Sequence, residues 1–221
     1  MSIIQNIQNK IQELLYGDNP EHVRRDSLKP GSDPDYMLHS PDVVGYNTTA
    51  EQQFLFQNLI LGLDPTAFSV LDIGCGRGDL YGFLKEIWPD HLFGYTGIDM
   101  NPIMCDLAKE KYGLDLVNGN FDTAKFNPHD WVVAGGFFTQ RRCETEDDDL
   151  QKMFKDIDKM YNLANRTVSF NLLSPINNTI HPGFFYVHPG LVMDMLIEKY
   201  HYVSVRHNYT KDVYTVSIYK M

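Results

Sequence analysis

Cysteine is scarce in this 221-residue chain, and Cys75, Cys105 and Cys143 stand apart with no C-x-x-C pair. That excludes a disulfide framework and a structural zinc site, and it fits a reduced, cytoplasmic protein. Positive charge is also short. Against 29 Asp and Glu there are 19 Lys and Arg, a formal net charge of −10, and nucleic-acid binding draws most of its affinity from cations on phosphates. No nucleic-acid partner is expected. No apolar run approaches the ~20 residues of a membrane span, and the first residues alternate Ile with Gln and Asn where an export signal needs continuous apolar sequence. Neither membrane attachment nor secretion is expected. Internal repeats and low-complexity tracts are absent as well. What remains is a chain of single-domain size, 43% hydrophobic, with enough apolar material for a sizeable core.

Ile3, Ile4, Ile7, Ile11, Leu14 and Leu15 recur at helical spacing, followed by a linker-like stretch, Gly17–Asp42, with prolines and Asp/Ser turns. Residues 1–42 therefore read as an extension and 43–221 as the domain. The apolar face of the extension could close over a site, pack on the domain or join a second copy as a homodimer. Thr48 and Glu51 mark a helix start, with Phe54, Leu55, Leu59 and Ile60 as its apolar face. Strand patterns then fall at Phe68–Ile73, Phe93–Ile98, Leu114–Val117, Trp131–Ala134 and Thr167–Leu172, alternating with helix patterns at Asp79–Trp88, Pro102–Tyr112 and Asp147–Leu163. Such alternation is the signature of an α/β fold, a parallel sheet with helices on both faces. A helical run, Leu191–Tyr200, and two β-rich segments, Tyr202–Arg206 and Tyr214–Tyr219, predict a terminal antiparallel hairpin. The acids from Glu144 to Asp149 crowd the positive end of a helix and are read as a helix start. No metal site is assigned.

The segment Val70-Leu71-Asp72-Ile73-Gly74-Cys75-Gly76-Arg77-Gly78-Asp79 sets a glycine-rich turn between a buried strand and a helix. Glycines let the backbone approach a ligand, and the helix offers its unpaired N–H groups. A dinucleotide fingerprint reads G-x-G-x-x-G. Here the third glycine comes one residue early and a carboxylate stands on either side, which disfavours a pyrophosphate and favours S-adenosylmethionine, a sulfonium and ammonium ligand without phosphate.

This segment resembles motif I of the class I S-adenosylmethionine-dependent methyltransferases, and the likeness extends further. Tyr95-Thr96-Gly97-Ile98-Asp99-Met100 resembles the second strand, whose terminal acid holds the ribose hydroxyls. Asn118-Gly119-Asn120-Phe121-Asp122 falls where the family contacts adenine, and Trp131-Val132-Val133-Ala134-Gly135-Gly136-Phe137-Phe138 resembles motif IV. The tail, including Phe184-Tyr186-Val187-His188-Pro189, and Val44-Gly45-Tyr46 resemble small bacterial and phage methyltransferase-like proteins. The resemblance implies a Rossmann-like fold in which residues 43–221 bind S-adenosylmethionine and release S-adenosylhomocysteine. It implies that Asp72 serves the loop and the methionine ammonium, that Gly74, Cys75, Gly76 and Gly78 give backbone approach, and that Asp99 holds the ribose. Met100, Phe121 and Asp122 fall to adenine, and the carbonyls of Ala134 and Gly135 to the ammonium.

Methyl transfer needs positioning and desolvation and requires a base only when the nucleophile must lose a proton. His181 and Tyr46 are the candidates. The Asp/Asn-Pro-Pro-aromatic motif and the Pro-Cys pair of nucleobase methyltransferases are both missing. A small acidic or aromatic acceptor is expected, with Phe137–Phe138 and Phe184–Tyr186 as an apolar lid and Arg141 as the available cation. A non-catalytic binding protein and an aminopropyl-type transferase on the same fold stand as alternatives, since fold alone does not separate them.

Overall fold

The computed structural model describes residues 34–63, 68–90, 93–176 and 180–220. The helix expected at Ile3–Leu15 lies outside them. The chain divides into two compact units, one ending at Asn58 and the other opening at Leu59. In the first, the stretch read as linker contains a helix, α1 (Pro34–His39), and a 3-10 turn, Pro41–Val44, closed by Gly45 in the left-handed region at φ 91°. The carboxylate of Asp42 organises this segment by accepting from the hydroxyls of Tyr36 and Ser40. Helix α2 (Thr49–Ile60) starts as expected, with the Thr48 hydroxyl accepting from the Glu51 N–H at 3.0 Å. The Glu51 carboxylate reaches one residue further back than a capping box requires and takes the backbone and side-chain N–H groups of Asn47.

The second unit is a seven-stranded sheet of order β3-β2-β1-β4-β5-β7-β6. Its strands are β1 (Phe68–Ile73), β2 (Phe93–Asp99), β3 (Val117–Asn118), β4 (His129–Ala134), β5 (Ala164–Leu173), β6 (Val203–Arg206) and β7 (Val213–Tyr219). The first five are parallel. Strand β7 inserts antiparallel between β5 and β6, completing the expected terminal hairpin. The helices are α3 (Asp79–Ile87), α4 (Pro102–Tyr112), α5 (Glu146–Leu163) and α6 (Pro189–Tyr200).

Period-2 alternation divides the strands between two cores. On one face Leu71, Ile73, Val132, Ala134, Phe170 and Val216 are buried against Met153 and Ile157 of α5 and Val192 and Leu196 of α6. The other face buries an aromatic stack in which Phe68 lies 3.9 Å from Trp131 and 5.0 Å from Phe93, centroid to centroid.

Several boundaries differ from the pattern reading. Strand β3 covers two residues because Leu114 follows the left-handed Gly113 and packs on Gly78, so the chain is still leaving α4 where the apolar run suggested pairing. Strand β5 starts three residues early at Ala164, directly after α5, its polar opening Asn165-Arg166 having hidden the strand period. Helix α6 starts at Pro189, an N1 position that suits proline, with the His188 ring as its cap.

Asp79 is not the free carboxylate that the motif reading placed beside the glycine turn. It sits between Arg77 Nε at 2.9 Å and Lys111 Nζ at 2.7 Å, with the Tyr112 hydroxyl at 3.2 Å. Arg77 is only 1% exposed, so this cluster pins the start of α3 to the end of α4. Removing one partner of a buried ion pair leaves a charge desolvated without compensation. Asp79→Ala is therefore expected to destabilise the chain by about 3–5 kcal/mol, measured as a shift of the urea unfolding midpoint at unchanged slope.

Candidate active site

The glycine turn leaves β1 through Gly74, Gly76 and Gly78, with φ of 67°, 55° and 76°. Side chains rarely adopt these angles. A Cβ on Gly74 would also meet the Phe137 ring at 2.9 Å. The backbone N–H groups of Gly74 and Cys75 donate to the Ile98 carbonyl at 2.8 and 3.1 Å, fastening the turn to the end of β2.

Asp99 closes β2 and ties three loops together. One carboxylate oxygen accepts the Gly76 N–H at 2.9 Å and the other the Asn101 N–H at 2.9 Å. Its carbonyl accepts from Gly119 N and Asn118 Nδ2 at 3.0 and 3.2 Å. The cap of α4 is Asn101, whose side chain takes the Ile103 N–H, so Asp99 is not spent as a helix cap. Beside it Met100 is 71% exposed.

Asp72 lies beneath the turn, 3% exposed, and accepts a 2.5 Å hydrogen bond from the Tyr95 hydroxyl. Burial pushes its carboxyl up to about 7, the Tyr95 hydrogen bond pulling the other way and the nearby Asp99 charge adding to the rise. Burial together with the charges of Asp72 and Asp99 also pushes the Cys75 thiol up. Cys75 is thus a buried thiol with little thiolate character, packed against Gly97. Tyr95 as the partner of Asp72 was not read from the sequence, although an aromatic hydroxyl two residues before Gly97 on the strand next to β1 was a usable signal.

On the opposite wall Phe121 is buried, its ring edge-on to Phe137 at 6.2 Å. The Asp122 carboxylate turns toward α5, where Lys152 meets it at 2.6 Å and holds it below the usual carboxylate range. Its N–H goes to the Asn120 side chain at 2.8 Å.

Past β4, Ala134 is buried and Gly135 half-buried, and the chain turns at Gly136. This loop is stitched to the segment after β5. Gln140 and Phe184 form an antiparallel bridge, Phe185 N–H donates to the Thr139 carbonyl at 3.0 Å, and Arg141 N–H to the Gly183 carbonyl at 2.9 Å. Residues 139–141 and 183–185 therefore lie side by side.

Two expectations for this wall are corrected. Phe138 is fully buried against Phe170 and belongs to the core, leaving only half-buried Phe137 of that pair at the mouth. Arg141 is not an available cation, because its Nε reaches the buried Asp149 at 2.9 Å and its Nη2 the Glu144 carbonyl at 3.0 Å. Asp149 also takes the N–H groups of Arg142 and Cys143, so one acid of the expected helix start organises the whole loop. His181 is exposed on the Pro182 turn, its N–H toward the Tyr186 hydroxyl at 3.4 Å. Tyr46 belongs to the first unit, where its ring meets Phe56 edge-on at 5.9 Å. Among the described residues no group of three or more His, Cys, Asp or Glu could hold a metal ion, and no helix is long and apolar enough to cross a membrane.

Residues 70–162 match a family model described as a methyltransferase domain. The chain is 26% identical over 167 residues to Rv1506c of Mycobacterium tuberculosis, provisionally named a methyltransferase, covering 73% of this chain and 98% of that one. Among solved structures it superposes on magnesium protoporphyrin IX methyltransferase from Synechocystis PCC 6803 with bound S-adenosylmethionine, TM-score 0.55 at 14% identity, over 100% of this chain and 92% of that one. The CcbJ methyltransferase from Streptomyces caelestis gives a TM-score of 0.54 at 14% identity, over 76% and 89%. Residues 70–162 thus match a methyltransferase domain, and the fold is like that of solved S-adenosylmethionine-dependent methyltransferases. The chain is a methyltransferase with S-adenosylmethionine as its cofactor.

The residues present fit that cofactor. Each Asp99 oxygen holds one N–H and retains a lone pair, which suits the paired hydroxyl donors of a ribose and offers nothing to a phosphate. With Asp79 neutralised by Arg77 and Lys111 and the Asp72 carboxyl raised by burial, Asp99 is the main acid at the turn, among the described residues, to favour a cationic ligand.

The raised Asp72 carboxyl has a consequence for stability. In the unfolded chain it ionises near pH ~4, and in the folded chain near 7. The folded state therefore binds the extra proton across that window, and its stability falls as pH rises through it, by roughly 1.4 kcal/mol per pH unit. The contribution is whole at the acid end and gone above the folded value. Asp72→Asn is expected to remove this slope, so that wild type loses ground to the variant from about pH 5 to 7 and parallels it above. Urea unfolding across that range checks this; a constant difference refutes it.

Proposed function

We propose that the enzyme methylates a small, aromatic or apolar-faced molecule, with the cofactor held by Asp72, Gly74, Cys75, Gly76 and Gly78 on the loop side. Asp99 takes the ribose hydroxyls, Met100, Phe121 and Asp122 border the adenine, and the Ala134 and Gly135 carbonyls face the ammonium. When bound, S-adenosylmethionine supplies a methyl group activated on sulfur. The chain's own task is then orientation and exclusion of water. The left-handed glycines bring backbone to the ligand, and Asp99 enters with its oxygens already directed by Gly76 and Asn101, so little reorganisation accompanies binding.

The single observation that supports a small acceptor is the bridging of residues 139–141 to 183–185, which walls the mouth with backbone hydrogen bonds. A protein acceptor requires an open groove there. Phe137, propped on Gly74 and Phe121, offers an aromatic face, and with Arg141 bound to Asp149 the case for an acidic acceptor lapses. His181 is proposed as the general base for an acceptor that must lose a proton.

The decisive experiment incubates the enzyme with labelled methyl donor and a metabolite extract. Label in a small-molecule fraction is the expected result, and label confined to protein or nucleic acid overturns the proposal. Within that assay His181→Gln is expected to lower kcat by about 100-fold or more if it serves as base, with little change in KM; an unchanged kcat removes it from the mechanism. For the cofactor, Asp99→Ala is expected to weaken S-adenosylhomocysteine binding by ~1.5–3 kcal/mol, the worth of hydrogen bonds to a charged group, measured by calorimetric titration alongside a melting curve of the free protein. An unchanged dissociation constant would exclude Asp99 from the ribose site, and tighter binding of NAD by the wild type would overturn the cofactor assignment.

A further inference from the structure

Four charged side chains join the two walls of the site in one continuous line. The guanidinium of Arg142 lies over the rings of Phe137 and Phe138, 4.7 and 5.4 Å from their centroids. Its Nη1 donates to one oxygen of Asp156 at 2.8 Å. The other Asp156 oxygen accepts from Lys152 Nζ at 2.5 Å, one helical turn earlier on α5, and that same ammonium holds Asp122 at 2.6 Å. Seven residues beyond Lys152 on the same helix, Lys159 donates to the backbone carbonyls of Phe121, Asp122 and Ala124 and lies 4.5 Å from the centroid of the Phe121 ring. Phe137 and Phe121, the two rings gripped in this way, touch each other edge to face.

The centre of the line is the least exposed part. The Asp156 side chain is 2% exposed while Arg142 and Lys152 are each 24% exposed. A buried carboxylate is tolerable only with its charge matched and its lone pairs filled, so Asp156 fixes both cations. Arg142 and Lys152 in turn have little freedom to release Phe137 or Asp122. Pairs of this kind are worth little when solvated and far more around a desolvated centre.

We infer that Asp156 is a positioning residue for the cofactor site: through Arg142 and Lys152 it sets the Phe137 wall and the Phe121–Asp122 wall at a fixed separation without touching the cofactor. The inference rests on the reading that Phe121 and Asp122 border the adenine. It requires that a change at Arg142, on the acceptor side, be felt energetically at Asp122.

The test measures S-adenosylhomocysteine affinity of the full chain by calorimetry, each variant accompanied by a ligand-free melting curve. Asp156→Asn is expected to weaken binding by about 10-fold while melting cooperatively. Should that variant fail to fold, the cycle built from Arg142→Met and Asp122→Asn carries the same question. Linked residues give non-additive effects, so Arg142→Met is expected to weaken binding by about 5-fold in the wild-type background and by less than about twofold when Asp122 is already Asn. A merely structural role would lower both melting temperatures and leave the affinities additive. Additive effects, or wild-type affinity in a folded Asp156→Asn variant, would overturn the inference. Unchanged affinity in both Asp122→Asn and Phe121→Ala would instead overturn the adenine reading beneath it, which separates the two failures.

Discussion

The top of the sheet depends on the carboxylate and carbonyl of one residue, Asp99. Through them the glycine turn after β1, the start of α4 and the loop after β3 share a single fixed point. Each of those segments begins with backbone N–H groups that helix or strand geometry leaves unpaired. Supplying acceptors from one strand end resolves three such deficits together. The site proposed for the cofactor is therefore shaped by hydrogen-bond satisfaction within the fold itself.

A second constraint is the cost of burying acids in a chain that has so many. Asp72, Asp79, Asp149 and Asp156 are all buried, and each meets the cost differently. Asp72 rises toward neutrality beside Tyr95, Asp79 takes two cations, Asp149 takes backbone N–H groups and one guanidinium, and Asp156 links two cations that each have a second duty. The net charge of −10 thus describes the interior as well as the surface. A reading that treats every acid as solvated loses that distinction.

The sequence was most legible where periodicity and punctuation agreed. Strand β1 and helix α4 fall on their expected residues because a buried run ends in glycines and because Asn101-Pro102 and Gly113 bracket a helix. Asp99 was legible as an acid closing a strand. The Arg142–Asp156–Lys152–Asp122 line was not, since its members come from two loops and a helix and each alone looks like an ordinary surface charge. Asp156 did carry a trace of its role, standing beside Ile157 on the flank of an otherwise apolar stripe. Arg141 was misread as available because its partner Asp149 belonged to a run of acids already explained as a helix start; only the direction of that one side chain, set by helix rotation, distinguishes it from its neighbours.

Helix α5 ends at Leu163 and β5 begins at Ala164, with no residue between them. The absence of slack makes this junction a phase lock. Adding or deleting one residue there would rotate the helix by about 100° relative to the strand, turning Lys152, Asp156 and Lys159 away from their partners all at once. Chain length at this point is therefore as much a part of the site as any side chain, and tolerance to insertion should be sought in the connections elsewhere.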